Sequence, residues 1–236
     1  MNALTIGLIG FGPGAGASGG DIQYRVMYLL LGALLWEFLS VLFHEVSESI
    51  SWERWEGTIE YTFMAPIHRV THLFGMCLYA TIYGSVRTVV VLSVVAFFFK
   101  INLATANIAG ALVILAASSL SFIGLGLMAA ILPLMSPERG SQATHIFQAV
   151  VLLISGVYYP VSVLPGWLQR LSAFSPATYT LEAARKAILE GAPTWQLLGH
   201  VRILMLIGLV LIPIGLMAFG VGENYAMRVG KLKRSG

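Results

Sequence analysis

The run Leu197–Val221, LLGHVRILMLIGLVLIPIGLMAFGV, decides the class of this chain. It carries one arginine and one histidine in a length that exceeds the roughly 20 residues a helix needs to cross a hydrocarbon core about 30 Å thick. A helix that is apolar all round belongs inside a large core or a membrane. Four further segments read the same way: Tyr24–Val46, Leu73–Phe99, Asn107–Met135 and Thr144–Tyr159, the last being the shortest. Composition agrees. Hydrophobic residues make up 57% and charged residues 11%, and mean hydropathy is +0.81. Soluble domains carry roughly 25% charged residues, so too little charge is present to dress a water-facing surface. The expectation is an all-α, polytopic transmembrane helix bundle with five clear spans, residues 1–236 forming a single transmembrane domain.

Charge placement sets the orientation. The net charge is +3, and the excess sits in a tail with Arg228, Lys231, Lys233 and Arg234. Such a cluster reads as a cytoplasmic anchor at the membrane surface, not a nucleic-acid patch. With the C-terminus cytoplasmic, the connections 51–69 and 136–140 are also inside, with Arg54, Arg69 and Arg139. The opposite side then carries Arg25, Lys100, Arg170, Arg185, Lys186 and Arg202. The localisation expected is the cell membrane, multi-pass. Cys77 is the single cysteine, which excludes an internal disulfide. No Lys or Arg precedes the apolar run Ala3–Phe11, so a secretory signal is not expected there.

Two connections are longer and more structured than a hairpin needs. The inner one, Ser51–Pro66, reads SWERWEGTIEYTFMAP. Trp52, Trp55, Ile59 and Phe63 repeat at the spacing of one helical face, beside a stripe of Glu53, Glu56 and Glu60, and Pro66 ends the pattern. This predicts a helix lying along the membrane surface. An interfacial anchor normally turns Lys and Arg toward anionic lipid, whereas a row of glutamates calls for a protein partner with a basic groove. The outer connection, Pro160–Pro193, predicts two short helices. Pro165-Gly166 turns the chain; Trp167, Leu168, Leu171 and Phe174 share a face. Ser175-Pro176 restarts a helix as N-cap and first position, Lys186 stands one turn after Glu182, and Gly191 closes it. Such a broken path between spans reads either as a re-entrant pair or as a surface hairpin.

Chemical motifs are sparse. Nothing matches a phosphate-binding G-x-x-x-x-G-K-[ST] loop, since Gly230-Lys231 is followed by Leu232. His44 and Glu48 share a helix face, but the second histidine of a zinc-protease helix is missing, so no metal site is expected. Ser118, Ser119, Ser121 and His145 lack the context of an intramembrane hydrolase, and Gly16-Ala17-Ser18-Gly19-Gly20 lies in a glycine-rich loop. No catalytic residue is assigned, and an enzyme is not expected. Glu37 and Arg87 are the costly intramembrane charges, expected to face the bundle interior or water as a substrate-path or gating pair, or else to snorkel to an interface. Gly124 and Gly126 are expected to serve close helix packing, and Gly156 a kink.

The stretch ERWEGTIEYTFMAPIHR over residues 53–69 resembles the signature between the second and third spans of ABC-2-type permeases. The later stretch SGVYYPVSVLPGWLQRLSAFSPATYTLEAARKAILEG, from Ser155, resembles the segment after their fifth span. Order and spacing match from about Tyr24 to the end. The resemblance implies the transmembrane permease subunit of an ATP-driven exporter, one ABC-2-type domain paired with a second permease subunit as homo- or heterodimer. Separate ATP-binding subunits would dock beneath and use ATP and Mg, so this chain itself binds no cofactor. The family's coupling helix would fall on Trp52–Ala65, including Trp52, Glu53, Trp55, Glu56, Gly57, Thr58 and Glu60. The re-entrant pair would fall on Pro165–Leu189, with Pro165, Trp167, Pro176, Tyr179 and Glu182. The chain departs from the family's six spans: the first is missing or reduced to Ala3–Phe11, through absence or through a start upstream of Met1. A secondary transporter or channel driven by an ion gradient is the alternative, disfavoured because only Glu37 and Arg87 lie deep.

Overall fold

The computed structural model describes residues 19–58, 61, 64, 69–99, 106–135 and 137–228. Ala3–Phe11 lies outside them. Every regular element among the described residues is helical: α1 Gly19–Glu56, α2 Arg69–Phe99, α3 Ile108–Ala129, α4 Ile131–Met135, α5 Pro137–Ile154, α6 Gly166–Ser172, α7 Pro176–Leu189 and α8 Thr194–Arg228. A single 3-10 turn, Val161–Val163, precedes α6. Among the described residues, four stretches are long and apolar enough to cross a membrane: Met27–Glu56, Thr71–Val91, Ile108–Met135 and Thr194–Arg228. The fourth of the five expected spans, Thr144–Tyr159, is represented by the shorter apolar helix Gln142–Ile154. At 1.5 Å per residue that stretch covers about 20 Å, short of a core about 30 Å thick. Its helix ends where Gly156 takes the left-handed conformation at φ 70°.

α1 is the central helix, packed on α2, α3, α4, α5 and α7. Leu39, Leu42, Phe43, Val46 and Ile50 repeat at helical spacing and are all but fully buried. Gly126 of α3 lets the Val46 side chain approach, since a Cβ there would stand 3.1 Å from Val46 Cβ. α2 behaves differently. It packs on α1 through residues such as Leu73, Cys77 and Ala80, while Phe74, Leu78, Ile82, Val86 and Val90 stand exposed. In a bilayer that face is offered to lipid or to another membrane helix.

The closest helix pairing is α3 against α8, and glycine makes it possible. Gly208, Gly215 and Gly222 recur every seven residues along α8. A Cβ on each would meet, at 2.9 Å, Leu120, Leu127 and Ile131 in turn. From the other side, a Cβ on Gly124 would stand 2.6 Å from Leu211 Cβ. Lipid chains are as apolar as leucine, so association within the membrane comes from close contact and interhelical hydrogen bonds. Here the small residues give the contact, and Ser121 Oγ donates to the Leu204 carbonyl at 2.7 Å. The role expected of Gly124 and Gly126 is therefore seen, and the seven-residue stripe on α8 extends it.

Gly124→Val and Gly208→Val are expected to destabilise the purified chain by about 1–3 kcal/mol, the usual cost of forced overpacking. Gly199→Ala and Gly220→Ala, where an added Cβ meets nothing within 4 Å, should leave thermal stability in detergent unchanged or raise it by up to about 1 kcal/mol, alanine being the better helix former. Fluorescence-detected thermal melting of the four variants makes the comparison.

Candidate functional site

The inner connection begins within α1. Residues Ser51–Glu56 are the last turns of that helix and form no separate element. Gly57, at φ 77°, ends it. The Gly57 amide donates to the Arg54 carbonyl at 3.2 Å and the Thr58 amide to the Glu53 carbonyl at 2.9 Å. These two bonds are the Schellman pattern, which needs a left-handed residue just past the helix and so favours glycine there. The continuous surface helix expected over Trp52–Ala65 is thus divided at Gly57. Ile59, Glu60, Phe63 and Pro66 of its pattern lie outside the described residues.

Upstream of the break the residues take separate roles. Trp52 and Trp55 are 58% and 69% exposed, their rings 5.4 Å apart. Glu56 is exposed as well. Glu53 leaves the expected acidic stripe and turns back toward α2, where its Oε1 lies 3.0 Å from His72 Nε2. Thr58 Oγ1 donates to the Glu53 carbonyl at 3.2 Å. Tyr61 and Met64 are exposed beyond the break. The result is an aromatic and acidic projection at the expected cytoplasmic end of the bundle.

Glu37 on α1 and Arg87 on α2, distant in sequence, are brought into an ion pair through Arg87 Nη2 and Glu37 Oε1. Both side chains remain about half exposed. An apolar cavity of about 320 Å³ lies between α1, α2 and α3, and a second of the same volume between α2, α3 and α8. They share Thr81, Ala116 and Ser119 as lining residues, which makes them neighbouring parts of one groove. Three of its hydroxyls turn back to their own helices: Thr81 donates to the Cys77 carbonyl and Ser119 to the Leu115 carbonyl, both at 2.8 Å, and Ser85 to the Thr81 carbonyl at 2.7 Å. What remains facing the groove is almost wholly hydrocarbon.

At the opposite end, the outer connection forms the two expected helices. Pro165 stands at the N-cap of α6 and Pro176 at the first position of α7. Trp167, Leu171 and Phe174 give α6 an exposed apolar face. α7 is enclosed by protein, with Ala177, Thr180, Ala183, Ala184 and Ala187 fully buried. Ser175 does not cap with its side chain; its hydroxyl instead meets Ser155 Oγ at 2.9 Å, tying α7 to the end of α5. Tyr179 Oη donates to the Ala173 carbonyl at 2.8 Å and so fixes the angle between α6 and α7. Lys186 Nζ reaches Glu182 Oε1 at 2.8 Å, the expected one-turn pair. That hydrogen bond holds the Glu182 carboxyl below the usual carboxylate range, against partial desolvation.

Sequence reasoning passed over two anchors of this end. Arg185 is buried and donates to the carbonyls of Gly156 at 3.2 Å and Val157 at 2.6 Å, with its guanidinium 3.6 Å from the centre of the Tyr28 ring. These carbonyls belong to the turn just past α5, whereas the last carbonyls of the helix itself, Leu153 and Ile154, accept from Tyr159 Oη and Ser172 Oγ. Asn107 caps α3, accepting from the Gly110 amide at 2.8 Å, and donates to the Ala192 carbonyl at 2.8 Å. The signal for Asn107 was present, since asparagine before an apolar run is a preferred N-cap. Tyr28, Arg185, Tyr179 and Glu182 also line an outer cavity of about 480 Å³. Among the described residues no group of three or more His, Cys, Asp and Glu could hold a metal ion.

A multi-pass helical membrane protein with an acidic-aromatic projection at one end and a buried helix at the other is the class that this geometry defines. A family model described as ABC-2 type transporter matches residues 1–189, and the chain belongs to that family. Its homologues are membrane permease components. One, a linearmycin resistance permease protein of Bacillus subtilis called LnrN, is 27% identical over 112 residues, covering 48% of this chain and 29% of the relative. Another, the probable multidrug ABC transporter permease YbhR of Escherichia coli K12, is 24% identical over 146 residues, covering 62% and 39%. These matches thus span well under half the length of either relative.

Arg185→Met is expected to cost about 1.5–3 kcal/mol, because charge-assisted bonds to two carbonyls are lost. Glu182→Gln, at a half-exposed pair, should cost no more than about 0.5 kcal/mol. The depressed Glu182 carboxyl contributes its small share above its unfolded pKa, and that share fades as pH falls through the folded value. Thermal melting of both variants at neutral and acidic pH tests the ranking; equal losses would contradict it.

Proposed function

We propose that this chain is the transmembrane permease subunit of an ATP-driven exporter. It would work with a second permease subunit and with separate ATP-binding subunits, which bind and use ATP and Mg. Family membership supports the transporter class. The observation that carries the docking assignment is the projection at the end of α1. Trp52 and Trp55 lie open there beside the exposed Glu56, with Gly57 and Thr58 fixing where the helix stops. Exposed tryptophans are costly in water and favoured at interface centres, and a neighbouring carboxylate selects a basic partner surface. Glu60 completes this acidic set by sequence. In this reading ATP closure pushes the projection, and α1 and α2, which flank it, tilt together. The C-terminus is cytoplasmic, and residues 1–236 act as a single transmembrane domain.

The Glu37–Arg87 pair would then gate the path. It is an ion pair between two spans, and it links the two helices that flank the projection. The hydrocarbon-lined groove beside it suits an apolar or amphipathic cargo, in keeping with the resistance and multidrug permeases that the chain is similar to. α6 and α7 form the outer gate in this account, Pro165, Trp167, Pro176, Tyr179 and Glu182 setting their geometry. An ion-gradient transporter would use a relay of ionisable groups along the spans, and a single half-exposed pair favours the ATP-driven reading.

Glu56→Arg combined with Glu60→Arg is expected to lower capture of the ATP-binding subunit by at least about tenfold, a loss of roughly 1.4 kcal/mol. Folding of the bundle should be unchanged, since Glu56 is exposed. Co-purification from membranes expressing both subunits is the measurement. Undiminished capture would mean that the projection is not the docking site.

A further inference from the structure

The projection is held to the bundle by a residue that the docking assignment does not use. Arg54 lies between Trp52 and Trp55 in sequence, yet it is only 7% exposed. Its Nη1 donates to the Pro133 carbonyl at 3.2 Å and also to the Leu134 carbonyl. Both acceptors belong to α4, the short helix between α3 and α5. In a continued helix the Pro133 carbonyl would accept from the amide of residue 137, and that residue is Pro137, which has none. The break between α4 and α5 therefore leaves a carbonyl that α1 supplies with a donor. A guanidinium suits the task, because a single terminal nitrogen carries two N–H donors for the two carbonyls and the group keeps its charge.

Two further contacts converge on the same turns of α1. Glu53 meets His72 at the start of α2, and Ser47 Oγ lies 3.2 Å from Thr144 Oγ1 on α5. Gly140, near the start of α5, is pressed on the Pro133 backbone too closely for any side chain. The end of α1 is thus fastened to α2, to α4 and to α5 within a few turns.

We infer that Arg54 is a positioning residue that joins the two cytoplasmic connections into one block. A push on Trp52–Thr58 then displaces α3 and α5 together with α1 and α2. Without it, the projection is tied to α3 and α5 only through the packing higher along α1 and the Ser47–Thr144 contact, and α4 and the start of α5 follow it less closely. This inference rests on the proposed docking of an ATP-binding subunit for its use, while the tie itself stands on geometry.

The test has two arms. In the first, amide hydrogen exchange is followed on the purified chain and on Arg54→Met and Arg54→Lys. Exchange in residues 131–147 should quicken about tenfold in Arg54→Met and less in Arg54→Lys, with residues 108–125 unchanged. Unaltered exchange in 131–147 overturns the tie. In the second, spin labels at Phe74→Cys on α2 and Ile146→Cys on α5, in a Cys77→Ala background, report their separation in the complex with the ATP-binding subunit. With Arg54 present, one distance is expected both without nucleotide and with vanadate-trapped ADP. Arg54→Met should add a second distance in the trapped state only, and Arg54→Lys should largely restore the single one. A single distance throughout, with ATP hydrolysis intact, overturns the relay. A wild-type chain that captures no ATP-binding subunit contradicts the docking proposal instead, and the exchange arm then decides the tie alone.

Discussion

Inside a bilayer no water is available to satisfy a backbone or side-chain polar group, and that constraint shapes every irregular point of this molecule. At several helix ends a side chain from a distant helix arrives. Arg185 supplies carbonyls of the turn past α5, Arg54 those of α4, and Asn107, which caps α3 locally, also reaches the Ala192 carbonyl before α8. The Arg185, Arg54 and Asn107–Ala192 contacts join the ends of the helices to one another. Between them the bundle relies on close approach, with glycine at every seventh position of α8 letting α3 lie against it. The same economy explains why α1 is central: it is the helix whose two ends reach the outer cavity and the inner projection.

The functional account follows from how unevenly the helices are covered. α1 and α7 are largely enclosed and α3 partly so, whereas α2 and α8 turn most of their apolar side chains outward, and Trp167 of α6 and Phe174 just past it stand exposed. A transporter needs one set of helices held as a frame and another free to move against it. In the proposed function, frame and mover meet along the Glu37–Arg87 pair and the neighbouring hydrocarbon-lined groove. A half-exposed ion pair within a span needs water or another chain beside it.

Much of this was legible in the sequence, and what was not has identifiable causes. Hydropathy marks Leu197–Val221 because its signal is additive along the chain. The one-turn spacing of Glu182 and Lys186 and the Ser175-Pro176 helix start were readable because they are local. The surface helix expected over Trp52–Ala65 failed at Gly57, where periodicity outvoted a single residue whose backbone freedom ends the helix. Glu53 looked like a member of an acidic stripe because spacing says nothing of His72 on the next helix. Glu37 and Arg87 stood out by cost, yet only three-dimensional packing brings them together. Arg54 was readable only as a positive charge on the inner side; its acceptors lie about 80 residues away and are backbone atoms.

The central claim is that the two ends of the bundle face different compartments, the Trp52–Thr58 projection inside and the helices α6 and α7 outside. Single cysteines at Trp55 and at Ser162, each in a Cys77→Ala background, can be challenged with a membrane-impermeant maleimide. The account predicts labelling at position 162 in intact cells, and at position 55 only after permeabilisation, with protection there by the bound ATP-binding subunit. Labelling of position 55 in intact cells would contradict it.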